Sequence, residues 1–542
     1  MQIYTEVLAV TPIEPPLPTR SEVRRRLELA PRTLGYPPES DVEAHRARVP
    51  GGGASRWVCV PSWVFPRPMP TPALTESAKR MLPWLVAVAF FMESLDTTIL
   101  NTALPAMAIA LHVVPLSMKS VLTSYTLSLA VFIPVSGWVA DRFGTRVVFG
   151  AAIGIFTLGS VLCGISSDLH VLVACRILQG CGGALMVPVG RLTMVHAFPK
   201  SELVRAMSFV AIPGLIGPLI GPLAGGLIVG FFHWRLIFFV NLPIGLLGLF
   251  FVYRHLPDFR AEHTDPLDWV GLALFGSGVA LLSYVLEIFG EHTLTKGQIG
   301  ALLVVASALL LGYGLHANRV LHPLLRLGLF RIRTLRVSVS GSFVTRLGVG
   351  GMPFLLPLLY QVGLGYSPIE SGLLILPQSA AAVGLKALMP SILARFSYRR
   401  VLLANTILLG LLIGVFATVG PQTSVLVIGL QALAFGFLSS LQFTSMNTLA
   451  YADIQDADTS MASTIASTMQ QMSMSFGVAA ASLTTALFIP DRFRADTPQL
   501  IHGIHLAFLV LGGLTVLSSV VFGELRQGDG DSLSSAPAAR AG

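Results

Sequence analysis

Two carboxylic acids interrupt a stretch that otherwise reads as membrane. "FFMESLDTTILNTALP", Phe90 to Pro105, carries Glu93 and Asp96, three residues apart and so within one turn on one helical face. An acid near the centre of a bilayer helix costs about 2.5–3.5 kcal/mol. Residues kept at that cost usually face a cavity and handle ions or protons, so this pair offers a carboxyl group that loads and unloads H⁺. The plainer role for Asp96 is a hydrogen bond to Thr97, Asn101 or a neighbouring helix. Arg176, in "RILQGCGGALMVPVGR", poses the complementary problem. A guanidinium inside a span needs a carboxylate, and Asp96 or Glu93 is the obvious partner. If they pair, protonating the acid frees the arginine and links proton binding to helix movement; a fixed structural ion pair is the alternative.

Other patterns suggest motion and a cavity. In "GLIGPLIGPLAGGLIVG", Gly214 to Gly230, Gly217, Gly221 and Gly225 recur every four residues, the small-xxx-small face that lets helix backbones touch. Pro218 and Pro222 remove backbone donors from the same helix. The short loop within "GWVADRFGTR", Gly137 to Arg146, holds an acid, a turn glycine and two arginines. Gly144 can supply a left-handed turn and Asp141 can accept from an arginine or a helix N-terminus, which suits a hinge or latch as well as a plain charge cluster. Arg346 and Lys386 fall inside later spans. If both face the cavity they set positive charge opposite the acids, which favours anionic or zwitterionic amphiphiles over purely cationic compounds. Asn101, Gln179 and Gln442 complete the cavity candidates. No phosphate-binding, zinc-protease or serine-hydrolase motif is present. Cys59, Cys163, Cys175 and Cys181 show no metal-ligand spacing, so neither an enzyme, a metal site nor a cofactor is expected.

The elements that must position these residues are membrane helices. The 542 residues are 53% hydrophobic and only 12% charged, against about 25% charged for a soluble domain. Apolar runs of about 20 residues, the length of a bilayer crossing, recur from Leu82 to Phe522 and predict fourteen spans. Lys and Arg are about three times as frequent in one set of alternate loops as in the other, which predicts that both termini are cytoplasmic. The net charge of +8 is explained by that bias, so no nucleic-acid partner is expected. Residues 1–80 hold 13 of the 35 prolines and 11 of the 36 Lys+Arg; they read as a disordered tail, as do residues 524–542. "GWVADRFGTR" and "SILARFSYRR" follow the second and tenth spans, which points to an internal repeat. The predicted organisation is a six-helix bundle over 81–255, a linker with two extra transmembrane helices over 256–334, and a second six-helix bundle over 335–523. Six-helix halves around a central cavity are a known frame for alternating access.

"LDTTILNTALP", "GWVADRFGTR", "RILQGCGGA", "GPLIGPLAGG" and "HWRLIFFVNLPIG", in this order, resemble the fourteen-helix drug:proton antiporter branch (the EmrB/QacA group) of the major facilitator superfamily, from about Leu82 to Phe522. The resemblance implies an all-α polytopic membrane protein of the major facilitator fold. It implies that Asp96 is the acid of the first span tied to proton coupling, with Glu93 beside it, and that Arg176 is the arginine of the fourth. Gly137, Asp141, Arg142, Gly144 and Arg146 match the gating loop; Gly217, Gly221, Pro222, Gly225 and Gly226 match the motif associated with exchange. The second loop departs from the pattern, with Ala394 for the acid and Ser397 for the glycine, which puts gating symmetry in question. The expected function is proton-coupled export of small amphiphilic compounds across an inner membrane by alternating access, in multidrug fashion. A narrow-substrate metabolite exporter or importer of the same fold, or a membrane sensor that does not transport, is the alternative. Its expected partners are the substrate, the bilayer and, where one exists, a periplasmic adaptor; the chain itself is expected to be a monomer driven by the proton gradient without a cofactor.

Overall fold

The structure, a computed structural model, describes residues 44–49, 56–61, 76–198, 200–261, 264–288, 294–455, 458–489 and 497–530. Most of the expected 1–80 tail and the end of the 524–542 tail lie outside these residues. Within the first, two strands pair antiparallel, β1 (Ala44–Val49) with β2 (Arg56–Pro61), in a register that sets Ala44 opposite Pro61. Trp57, Val58 and Val60 supply the bulky residues that strands favour.

Among the described residues fourteen helical segments follow, at the positions of the predicted spans. They are α1 (Glu76–Ala110), α2 (Lys119–Phe143), α3 (Thr145–Ile165), α4 (Leu169–Ala197), α5 (Lys200–Phe231), α6 (Asn241–His255, preceded by one turn at Leu236–Phe239), α7 (Trp269–Ile288) and α8 (Lys296–Ala317). Then come α9 (Arg333–Val349, continued by Met352–Leu358), α10 (Pro368–Arg395), α11 (Tyr398–Val415), α12 (Val425–Leu449), α13 (Thr459–Leu487) and α14 (Thr497–Phe522). By length and composition 12 segments among the described residues are apolar enough to cross a membrane. Of the other two, α13 is diluted by Ser, Thr and Gln and is largely buried, while α10 includes side chains outside the described residues. Side chains fix several starts: Asp168 accepts from the backbone N–H groups of His170 and Val171, and Thr295 and Ser367 form capping boxes with Gln298 and Glu370. Those N–H donors hold the Asp168 carboxyl below its ordinary pKa.

The internal repeat governs the packing. In the first half α1 packs on α5, α2 on α4, α3 on α4 and α6; in the second, α9 packs on α13, α10 on α12, α11 on α12 and α14. Two seams join the halves, α2 with α13 and α5 with α10. The extra pair, α7 and α8, packs on itself and lies against the α2–α13 seam through α7. Most of α8 faces outward, as a lipid-facing helix should.

The two ends of the bundle differ. At the end away from the tails a single apolar cluster spans both halves, with Leu104, Met107 and Leu116 joined to Leu355, Leu359 and Leu374. Gln361 Nε2 donates to Thr102 O at 2.8 Å, and Ser482 Oγ to Leu116 O at 3.5 Å, across the same closure. At the tail end the first half has its own core around Phe149, Phe156 and Val189 and the second has others around Tyr398 and Leu385, while a further cluster joins Val135 of α2 to Leu335 of α9, Ile465 of α13 and the α7–α8 pair. Apolar clusters therefore join the halves at both ends, one across the far end and one along the α2–α13 seam toward the tail end.

Candidate functional site

Asp96 and Arg176 meet. Arg176 Nη1 donates to Asp96 Oδ2 at 2.7 Å, and the side chains are each 1% exposed. The same nitrogen donates to Gln179 Oε1 at 2.7 Å, and Gln179 Nε2 returns to Asp96 Oδ1 at 2.8 Å. Asn241 of α6 adds a third donor to Asp96 Oδ1 at 3.0 Å and also donates to Ser160 Oγ on α3 at 3.0 Å. Arg176 Nε reaches Val121 O at 3.3 Å, and its guanidinium lies 4.2 Å from the centroid of the Tyr125 ring. Residues from α1, α2, α3, α4 and α6 thus converge on one ion pair deep in the first half. The acid is spent on protein donors, and so is the Gln179 amide that sequence reasoning offered to a substrate. Asn241, Ser160 and Tyr125 escaped that reasoning. The available signal was an asparagine inside the otherwise apolar run "FFVNLPIGLLGLFF".

Chemically the cluster sets one buried carboxylate charge against one buried guanidinium charge. A neutral Asp96 would keep an oxygen for its amide donors but would leave Arg176 buried without a counter-charge. Glu93, one turn away, is different. It is half-buried, and its Oε2 is buried with no hydrogen-bond partner.

The glycine motif of α5 does what its spacing implies. A Cβ at Gly217 would collide with Ser94, one at Gly221 with Thr98, and one at Gly225 with Ile99 and Thr102, all on α1. Gly226 faces the α10 backbone at Pro368, and Gly372 of α10 faces Pro222 in return. Pro222 cannot donate to the carbonyl four residues earlier, which is Pro218 O. Ser379 Oγ of α10 donates to that oxygen at 2.9 Å instead, and Thr102 Oγ1 of α1 donates to Pro222 O at 3.1 Å. Pro222 thus frees one backbone acceptor that ties α5 to α10, and the carbonyl of Pro222 itself ties α5 to α1. Further along α10, Gly384 is exposed and a Cβ there would meet nothing within 4 Å.

In the loop between α2 and α3, Gly144 has φ +92°, and a Cβ there would strike the Asp258 carboxylate. Asp258 Oδ1 accepts from Arg146 N at 3.0 Å, and the Arg146 guanidinium donates to Tyr253 O. The segment after α6 lies along the loop: Thr145 N donates to Phe259 O at 2.9 Å, Ala261 N to Asp141 O at 3.2 Å, and Arg260 Nε to Arg142 O at 2.9 Å. Trp138 Nε1 donates to Asp265 O at 2.8 Å. Gly137 is exposed with nothing within 4 Å of a Cβ. Asp258, which the motif did not flag, makes the carboxylate contact to the loop. The second loop needs no glycine, since Ser397 caps α11 at φ −62°.

The remaining cavity candidates scatter. Gln442 is fully buried inside the second half, where its amide meets Asn405 and Thr406 at 2.8 and 2.6 Å. Asn101 and Lys386 are half-buried. Arg346 is buried on α9 against Ser342, Met474 and the Phe443 ring.

The profile of the Major Facilitator Superfamily matches residues 86–478. The chain is 39% identical over 439 residues to the "Putative multidrug resistance protein MdtD" of Salmonella typhi, covering 81% of this chain and 93% of the relative. It is 41% identical over 426 residues to the protein of that name from Serratia proteamaculans, covering 79% and 88%. Among solved structures it is similar in fold to the POT family transporter PepTSo (TM-score 0.62, 17% identity, 82% and 97% covered) and to a D-xylose-proton symporter (TM-score 0.59, 14% identity, 84% and 99% covered). With its repeated six-helix halves and the motifs those halves position, the chain belongs to the major facilitator superfamily, as a multi-pass membrane transporter rather than an enzyme.

Proposed function

We propose that this protein is a proton-coupled antiporter that exports small amphiphilic compounds in multidrug fashion by alternating access. The observation that carries the reading is the sealed Asp96–Arg176–Gln179–Asn241 cluster, a buried charge pair tying α1 to α4 and α6 whose closure depends on one proton. Glu93, nearer to solvent and with an oxygen to spare, is the relay by which that proton arrives. The glycines of α5 allow α1 and α10 to slide on it, and the likeness to the MdtD proteins supports a drug-like cargo. The charge bias of the loops supports cytoplasmic termini in an inner membrane; the far-end closure then faces outward. A single charge moved through the membrane potential supplies about 2.3 kcal/mol per 100 mV, roughly a 50-fold gradient. The cycle then needs only the bilayer, the proton gradient and a substrate, with the chain as a monomer and a periplasmic adaptor where the cell supplies one.

The test compares wild type with Asp96→Asn in a pump-deficient host across a panel of toxic amphiphiles. Compounds to which wild type confers resistance are then added to proteoliposomes holding an imposed proton gradient. Wild type is expected to confer resistance and to dissipate the gradient when the compound is added, and Asp96→Asn to do neither. Equal resistance from the two proteins removes the coupling role of Asp96.

A further inference from the structure

Arg346 is a buried cation without a counter-ion. It is 5% exposed. Nε donates to Ser342 Oγ at 3.1 Å, Nη1 lies 4.0 Å from Met474 Sδ, and the guanidinium carbon is 3.7 Å from the centroid of the Phe443 ring. Among the described residues no carboxylate pairs with it. The shortage is written into the second half: α9, α11, α12, α13 and α14 contain no Asp or Glu, and the Glu370 of α10 is bound to the Ser367 cap at that helix's far end. Arg176, equally buried, has Asp96 at 2.7 Å. An unpaired buried charge is strongly unfavourable. One hydroxyl, a thioether and a ring satisfy only part of a fork of five donors. The missing piece is an anion with two oxygens to meet that fork.

One turn from Arg346 lies a small crevice between α9, α12 and α13, lined by Ser338, Ser342, Met446, Asn447, Met469 and Gln470. Ser338, Ser342 and Arg346 follow each other at four-residue intervals, which stacks them on one face of α9. Ser338 Oγ is buried without a hydrogen-bond partner, while Asn447 is exposed. No acid lines the crevice. Met446 and Met469 give it a soft apolar wall that can fit varied bodies, and Phe443 lies beyond it over Arg346.

The geometry points to a binding site for an anionic amphiphile, a single carboxylate or sulfonate joined to an apolar body, whose charged end rests on Arg346. As a cargo site this deepens the exporter reading above and rests on it; binding itself requires no proton exchange. The purified chain in zwitterionic nanodiscs is titrated with dansyl-leucine and with its uncharged amide, empty discs serving as blank. Wild type is expected to bind the acid at least about tenfold more tightly than the amide, and Arg346→Gln to bind both within about twofold of the amide. Arg346→Lys, which keeps charge but loses the fork, retains part of the preference. Without probe, Arg346→Gln is expected to melt at or above the wild-type temperature, because a charge lacking a counter-ion has gone. Equal wild-type affinity for acid and amide, binding of neither, an undiminished preference in Arg346→Gln, or a lower melting temperature for that variant each overturns the site. No gradient is imposed, so a negative result here leaves proton exchange standing, and failed exchange in proteoliposomes leaves this binding result standing.

Discussion

Asp96 is held by more partners than an acid needs simply to be tolerated in a membrane. Three donors converge on it, one of them a guanidinium, and the pair is closed to solvent. Removing one partner of such a pair strands the other charge, at about 3–5 kcal/mol. Asp96→Asn and Arg176→Gln are therefore each expected to lower the unfolding midpoint in detergent. The double variant is expected to lose clearly less than the sum, which denaturant titration of all four proteins in a cycle measures. Asn241→Ala removes one donor and leaves Ser160 and Asp96 each a partner short, so a smaller loss of about 1–3 kcal/mol is expected in the same assay. The meeting of Asp96 with Arg176 was legible in the sequence, since a buried guanidinium demands a carboxylate. The choice of Asp96 over Glu93, and the recruitment of Asn241, were not. Both depend on how α1 is rotated, which residues three apart cannot fix.

Among the elements, α5 is the one whose sequence constrains it most. Its glycines admit α1 so closely that Gly221→Leu would have to displace Thr98 and the α1 backbone behind it. Overpacking of this kind typically costs about 1–3 kcal/mol. Gly221→Leu is expected to reach the membrane yet lose transport in vesicle flux, because the two helices can no longer slide. Wild-type flux from this variant would show that close packing of α1 on α5 plays no part in the cycle. The loop after α2 makes a second prediction at this scale. Asp258 holds Arg146 N and blocks any side chain at position 144. Asp258→Ala is expected to free the strap after α6, read as faster proteolysis or hydrogen exchange across 257–265, with the α1–α4 cluster unaffected. At the other end of the chain, Arg333 Nε meets Asp529 Oδ2 at 2.9 Å and fastens the segment after α14 to the start of α9. The Arg333 pairing keeps the Asp529 carboxyl below its ordinary pKa.

Across the whole molecule the decisive feature is how its halves are joined. One apolar cluster spans them at the far end, and a second runs along the α2–α13 seam toward the tail end. Alternating access requires the far-end cluster to part in the outward-open state. Ser482 Oγ reaches Leu116 O across it. Cysteines placed at Leu116 and Ser482, with the four native cysteines replaced, are expected to cross-link under oxidant and stop vesicle transport, which reductant restores. Full flux from the cross-linked protein would mean that the far end never opens.

What the sequence determined by itself was the membrane, the fourteen helical segments, the repeat and the motifs, because hydropathy, charge bias and residue spacing act locally along the chain. The tertiary structure decided which faces meet. It gave Asp96 to Arg176 and left Glu93 beside it, spent Gln179 and Gln442 on protein partners, and recruited Asp258 from beyond α6 to guard Gly144. Among the described residues it also left Arg346 without a carboxylate. Each of these outcomes turns on the rotation of one helix against another, and that is set by packing between residues far apart in sequence rather than by any local pattern.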